Sequence, residues 1–129
     1  MFTELPNNSL LNLHDIIVIH TCDLLDKHNY SLNVHTTFGR VDYDCKDEIE
    51  VLKYYNLILH DCDKARVRLI DFNGKKVNLR HVKKVCTIVS ECTFIIDLVL
   101  DGSHMYEEFK DLVTLGLRKK ELDEILIGG

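Results

Sequence analysis

The strongest constraint in this sequence is an internal repeat, because a duplicated segment restricts the chain to architectures built from two like units. A shift of 66 positions gives four identities: Asn7/Asn73, Asn12/Asn78, Leu13/Leu79 and Thr21/Thr87. After a shorter connection, a shift of 63 continues the alignment with two more: Gly39/Gly102 and Tyr43/Tyr106. Turn-forming residues fall on turn-forming residues and apolar residues on apolar ones, so we infer an ancient duplication.

The repeat and the composition together predict an α+β fold in a single domain. The chain has 129 residues, of which 46% are hydrophobic and 29% charged, which is enough for one compact core. We expect two tandem, pseudo-symmetric β-β-β-(β)-α repeats, at about residues 1–60 and 65–121, followed by a short helix at about 118–127. No linker separates the repeats, so they are predicted to share one core, with helices packed on a mostly antiparallel sheet.

The second repeat has the clearer secondary-structure signals. Ala65–Phe72 alternates in hydrophobicity and precedes Asn73-Gly74, the dipeptide favoured in a type I′ hairpin turn, so a strand is predicted on each side of this turn. Further strands are predicted at Val82–Val89 and Thr93–Leu100. From Ser103 onward we expect a helix, because apolar residues recur at helical spacing: Tyr106, Phe109, Leu112, Val113 and Leu117.

The first repeat follows the same order. Strands are predicted at Phe2–Leu5, Leu10–Leu13, Ile16–Cys22 and Tyr30–Phe38, with a turn at Asn7-Asn8 and a loop at Asp23–Asn29. A helix is expected from about Asp44 to about His60. It has two apolar stripes, one of Ile49, Leu52, Tyr55 and Leu59, the other of Val51, Tyr54 and Ile58. A helix that is apolar on two sides requires two partners, the sheet on one side and the second helix or another subunit on the other, so the second stripe is predicted to form an interface.

Apolar positions of both repeats are predicted to form the core. They are Leu13, Ile16, Ile19, Ile49, Leu52, Leu79, Val82, Val85, Ile96, Leu98, Phe109 and Leu112. Asp97 lies between two of these positions in a predicted central strand. Two alternatives remain open for it: burial, which would raise its pKa, or a place on the solvent face of the sheet.

Several protein classes are excluded by composition. No apolar run approaches the ~20 residues of a membrane-spanning helix, and the opening MFTELPNN lacks the pattern of a signal peptide. We therefore expect a cytoplasmic protein that does not enter the membrane. The five cysteines are odd in number and scattered, which favours free thiols over a disulfide framework.

A basic segment is the first candidate binding site. Its seven cations lie within residues 66–84, where Asp71 is the one acidic residue: Arg66, Arg68, Lys75, Lys76, Arg80, Lys83 and Lys84. If Arg66 and Arg68 share a strand face, that face can meet Lys75 or Lys76 across the hairpin and bind a phosphate-bearing ligand or a partner. The alternative is a solvated hairpin face whose lysines protect an edge strand from aggregation. No aromatic residue alternates with these charges, so nucleic acid is not the expected partner.

Other candidate sites carry weaker signals. The acidic stretch of Asp42, Asp44, Asp47, Glu48 and Glu50 lacks the central glycine of a calcium loop and fits the negative charge favoured at a helix start. The histidines and cysteines do not have zinc-ligand spacing. Neither a phosphate-binding glycine loop nor a nucleophile motif is present. We therefore expect no metal, no cofactor and no catalytic residues.

A local resemblance covers the segment Asn-Gly-Lys-Lys-Val-Asn-Leu with the following Val82 and Val85. This segment resembles short β-rich modules of small bacterial and phage proteins, and the resemblance implies no particular function. Together, these observations predict a non-catalytic protein that binds another macromolecule, for example as a phage-type inhibitor or adaptor. The second hypothesis is a protein that binds a nucleotide-like anion between repeats or subunits, with Arg66, Arg68, Lys75 or Lys76 as phosphate contacts.

Charge asymmetry predicts self-association. Residues 1–64 carry five Lys/Arg against eleven Asp/Glu, whereas residues 65–129 carry eleven against ten. A two-fold homodimer places each basic hairpin against the acidic helix start of the other copy. If the Val51, Tyr54 and Ile58 stripe is exposed, it supplies the apolar centre of this interface.

Overall fold

The computed structural model describes residues 2–5, 10–24 and 29–128, and these residues form an α+β fold. Ten strands, paired antiparallel in three sheets, are accompanied by two helices. The strands are β1 (Phe2–Glu4), β2 (Leu10–Asn12), β3 (Ile16–Leu24), β4 (Asn29–Thr36), β5 (Gly39–Cys45), β6 (Leu69–Phe72), β7 (Lys75–Asn78), β8 (Val82–Val89), β9 (Phe94–Leu100) and β10 (Ser103–Glu108); the helices are α1 (Glu48–Lys64) and α2 (Leu112–Gly128). The predicted fold class is confirmed. The expected Asn7-Asn8 turn and residues 25–28 of the expected loop lie outside the described residues.

The chain divides into two compact units, unit 1 (Met1–Arg80) and unit 2 (His81–Gly129). This division differs from the predicted repeat boundary near residues 60–65, and strand pairing explains why. The hairpin β6–β7 belongs to the second repeat in sequence, but β7 pairs with β3, where Val18 lies opposite Val77 and Ile19 opposite Lys76. The hairpin therefore completes the sheet of unit 1.

Unit 1 contains a five-stranded sheet of order β5-β4-β3-β7-β6, with α1 packed on one face. The Asn73-Gly74 turn is confirmed, since both residues have positive φ, 49° and 77°. Leu11 of β2 and Leu5, which follows β1, belong to the same hydrophobic core as the buried residues of α1. Leu13, Ile16 and Ile19 are fully buried, as predicted.

Helix α1 begins later than predicted. The stripe that faces the core is the one formed by Val51, Tyr54 and Ile58. Gly39–Cys45 forms β5, and the Asp47 side chain accepts a hydrogen bond from the Glu50 amide at 2.8 Å, so Asp47 is the N-cap. Val51 and Ile58 are 2% and 0% exposed, which places the predicted interface stripe in the core. Tyr54 packs against the same core. The predicted core residues Ile49 and Leu52 are instead 80% and 42% exposed.

Unit 2 contains the three-stranded sheet β10-β9-β8 and helix α2. The predicted helix start at Ser103 is wrong, because Asp101-Gly102 is the turn of the β9–β10 hairpin and Gly102 has φ +78°. The separate short helix expected at about 118–127 is also not formed. One helix runs from Leu112 to Gly128, and the Asp111 carboxylate caps it by accepting the Thr114 amide at 2.8 Å.

Helix α2 covers one side of the unit 2 sheet. Ile96 and Leu98 on this side are fully buried, in agreement with the prediction. Glu107 lies opposite Ile96 and forms an ion pair with Arg118 of α2, which identifies the covered face. The predicted core residue Leu112 is 57% exposed, because it belongs to the first turn of α2 rather than to a helix starting at Ser103.

The two halves of the chain share a series of local features. Each has two short strands, a 3₁₀ turn, three strands and a helix, in that order. Both 3₁₀ turns are preceded by an asparagine, Asn12 or Asn78, whose side chain accepts the amide two residues later. A bulge follows at Ile16/Val18 and again at Val82/Lys84. These features agree with the proposed duplication, while superposition of the halves and a shared core stay predictions.

Candidate functional site

The predicted basic face does not form at Arg66 and Arg68, because the strand begins only at Leu69. Helix α1 continues to Lys64, and the next three residues form its C-terminal cap. The Val67 amide donates to the Cys62 carbonyl at 2.8 Å and the Arg66 amide to the Asp63 carbonyl at 3.1 Å. This is a Schellman motif, and it holds Arg66 in the left-handed conformation at φ 61°.

The remaining basic residues point in different directions. Lys75 and Lys76 are neighbours on β7 and so lie on opposite faces of the sheet. The Lys76 ammonium contacts Asp71 at 2.6 Å on the side of α1, and Lys83 of unit 2 lies 3.4 Å from Asp101. Arg68, Arg80 and Lys84 are exposed. The structure therefore does not bring the predicted phosphate contacts of the hairpin together on one face.

The acidic stretch is divided between a strand and a helix. Asp42 and Asp44 lie on β5, where Asp42 pairs with Arg40 at 3.0 Å. Asp47, Glu48 and Glu50 form the cap and first turn of α1, the position at which the helix dipole favours negative charge. Across the described ranges, no three His, Cys, Asp or Glu side chains come together in a way that could hold a metal ion.

A polar cluster occupies the face of the unit 1 sheet opposite α1. The rings of His20 and His35 meet edge to face at 6.0 Å between centroids. Asn33, opposite His20 on β4, accepts hydrogen bonds from Ser31 and Arg40. Burial, reinforced by Lys75 and Arg40, lowers the pKa of both histidines, so they are uncharged at neutral pH.

Two of the five cysteines, Cys45 and Cys62, are buried. Burial raises the pKa of Cys62 to about 11, so this thiol is protonated at neutral pH, and burial also raises the pKa of Cys45. A protonated, buried thiol is a poor nucleophile. Cys22 and Cys92 are exposed, and Cys86 is half-buried.

The side of the unit 2 sheet away from α2, hereafter the open face, carries both apolar and charged residues. Strand register assigns nine residues to it: Lys84, Cys86, Ile88, Ile95, Asp97, Val99, His104, Tyr106 and Glu108. Ile88 is 45% and Tyr106 is 52% exposed. The open face is therefore accessible to a partner at both of its outer strands.

On the open face, Asp97 of the central strand contacts His104 of β10, and His104 in turn stacks on Tyr106. Nδ1 of His104 lies 3.0 Å from each carboxylate oxygen of Asp97. The His104 ring stacks on Tyr106 at 6.2 Å between centroids and an interplanar angle of 10°. The Asp97 side chain lies on the open face but is only 13% exposed, so it combines a place on this face with partial burial against His104.

Sequence reasoning missed this trio because it assigned residues from Ser103 onward to a helix. The overlooked signal was Asp101-Gly102, a dipeptide that favours a tight hairpin between two β-prone segments. In a strand, His104 and Tyr106 fall on the same face as residues at alternate positions. They also lie beside Asp97, which pairs directly with Tyr106 in the register.

A second exposed surface lies on α2. Val113, Leu117 and Ile127 are 73%, 66% and 87% exposed, although the opposite side of the same helix buries Leu115 and Leu122. Lys120 and Glu124 are also exposed and alternate with these apolar residues along the helix. We call these five residues the α2 seam.

Comparison with protein-family models, curated proteins and solved structures finds no match to this chain. In the part of the chain that the structure describes, neither helix is both long and apolar enough to cross a membrane.

Proposed function

We propose that this chain is a non-catalytic binding protein that recognises another protein through the open face of unit 2. The observation that carries the proposal is the arrangement of Tyr106, His104 and Asp97. Tyr106 is half exposed, and its ring is positioned by stacking on His104, which is itself held by Asp97. A pre-positioned aromatic side chain loses little conformational entropy on binding, which is why tyrosine is enriched at interaction hot spots.

The surroundings of Tyr106 fit a protein partner of defined chemistry. Ile88 and Tyr106 offer apolar contact area, and Asp97 and Glu108 place negative charge beside the tyrosine ring. A basic side chain from the partner would meet both the ring and these carboxylates. The best-fitting ligand is therefore a protein surface with a lysine or arginine next to an apolar patch.

We propose that this binding protein acts as an inhibitor or an adaptor, for example one of phage type, as expected from the sequence. A cytoplasmic location and a homodimer belong to the same proposal. The second hypothesis, a nucleotide-like anion bound between repeats or subunits, has less support from the expected phosphate contacts, because Arg66 lies in a helix cap and Lys75 and Lys76 lie on opposite faces of β7.

Affinity capture from a lysate of the source cells, with matched variants, tests the proposal. Tyr106→Ala and His104→Ala should each lose one reproducible interactor that the wild-type chain retains, with affinity reduced about tenfold or more. Phe38→Ala is the control, since Phe38 is an aromatic residue of unit 1 that is 88% exposed. This variant should retain the interactor.

Two results would contradict the proposal. One is an interactor that both open-face variants retain at wild-type affinity. The other is thermal stabilisation of the purified chain by a nucleotide or phosphate compound, lost on replacing Lys75 or Lys76. A ligand at 100 times its dissociation constant adds about 2.7 kcal/mol to stability, so such binding would be readily seen.

A further inference from the structure

Helix α2 has two apolar sides, but only one of them is covered within unit 2. Leu115 and Leu122 are buried against the sheet, while the apolar members of the α2 seam are each more than 60% exposed. A helix that faces solvent on one side normally carries polar residues there. The exposed apolar side of α2 is therefore unusual for a solvated helix and is typical of one that binds a further partner.

The spacing of the α2 seam is that of a coiled coil. Its residues Val113, Leu117, Lys120, Glu124 and Ile127 follow one another at intervals of four, three, four and three. This alternation keeps all five on one side of the helix and matches the positions through which two helices interlock. The occupant that the spacing fits is a second helix lying along α2.

We propose that this second helix is α2 of another copy of the chain, arranged antiparallel about a two-fold axis. This orientation sets Leu117 against Ile127 of the other copy and Lys120 against Glu124 of the other copy. The two-fold axis generates each contact twice. Two apolar contacts then flank two pairs of opposite charge.

Charge selects this arrangement over a parallel one. In a parallel pair, Lys120 would face Lys120 and Glu124 would face Glu124, and like charges at such positions destabilise association. The antiparallel pair replaces both repulsions with attractions. The seam is thus complementary to itself, whereas no described feature specifies a different helix as its partner.

This inference rests on the homodimer in the proposed function and replaces the interface expected from the sequence. Val51 and Ile58, which were expected to supply the apolar centre, are buried in the core of unit 1. The α2 seam supplies exposed apolar residues and opposite charges on a single helix. It lies on the side of α2 away from the sheet, so the open face does not take part in this contact.

Charge reversal tests the arrangement on the purified full-length chain. Sedimentation velocity over a concentration series from micromolar to several hundred micromolar should show a dimer of the 15.0 kDa chain. Lys120→Glu and Glu124→Lys should each weaken the dimer roughly tenfold, because each turns two attractive pairs into repulsive ones. Mixing these two variants should restore association as a heterodimer, since every pair is again opposite in charge.

Three further variants make the test decisive. The double variant Lys120→Glu/Glu124→Lys should dimerise like the wild type, and Lys110→Glu, an exposed charge outside the seam, should have no effect. Leu117→Asp should be monomeric while retaining its circular dichroism, because Leu117 is 66% exposed and does not support the core.

The inference is overturned if the wild type stays at 15.0 kDa throughout the series, or if the mixed charge variants do not associate. A dimer that survives Leu117→Asp would also overturn it. Because these experiments use only the purified chain, their failure leaves capture of a partner by Tyr106 unaffected, and the two proposals can fail separately.

Discussion

Replacement of Arg66 by glycine is predicted to stabilise the protein. Arg66 is the C′ residue of α1, held at φ 61° by the two hydrogen bonds of the Schellman motif. This left-handed conformation is unfavourable for a residue with a Cβ atom, and glycine is the residue usually found there. The side chain is exposed, so its removal uncovers no buried surface.

The expected gain is the difference between two opposing effects. An L-residue other than glycine loses about 1–2 kcal/mol in the left-handed conformation. Glycine has a more flexible unfolded state, which costs about 0.5–1 kcal/mol relative to alanine. The net stabilisation is therefore about 0.5–1 kcal/mol, or roughly 2–4 °C in melting temperature if the chain unfolds as one.

Urea unfolding followed by circular dichroism measures this difference as a shift in midpoint at unchanged slope. Arg68→Gly is the matched control, since Arg68 is also exposed but does not have positive φ, and it should be neutral or destabilising. A loss of stability on Arg66→Gly would refute the reasoning. It would mean that the arginine side chain contributes more than its backbone conformation costs.

Two further predictions concern the core and the polar cluster of unit 1. Ile58→Ala should cost about 2–5 kcal/mol, because Ile58 is fully buried, whereas Ile49→Ala should change stability little, because Ile49 is 80% exposed; urea unfolding of both variants checks this contrast. Stability should fall as pH drops below 6.5, since burial lowers the pKa of His20 and His35 from that value and the unfolded chain takes up protons first. Unfolding between pH 7.5 and 5 should show a weaker dependence in His20→Gln, and an unchanged dependence would exclude His20 as a source.

Local sequence patterns allowed part of the fold to be predicted. Asn73-Gly74 specified its hairpin locally, because few dipeptides adopt positive φ at both positions so readily. Leu13, Ile19 and Ile96 were correctly placed in the core by apolar alternation. These successes depend on short-range preferences that tertiary packing does not alter.

The errors have physical causes that a single sequence does not reveal. Periodicity identified both apolar stripes of α1, but which stripe faces the sheet is decided by tertiary packing. With Asp47 as its cap, the helix begins at Glu48, four residues later than Asp44. In the second half, Tyr106 fits both a helical and a strand pattern. Its place on the open face follows from the pairing of β10 with β9, which is a tertiary contact.

Photocrosslinking at position 106 tests the proposed recognition surface most directly. A photoreactive phenylalanine derivative would replace Tyr106 in one sample and Phe38 in another, so that both probes are exposed aromatic groups on different units. We predict a single crosslinked protein from position 106, competed by excess wild type but not by Tyr106→Ala, and no such product from position 38. Crosslinking to the same protein from both positions, or competition by Tyr106→Ala as effective as by wild type, would contradict the proposed site.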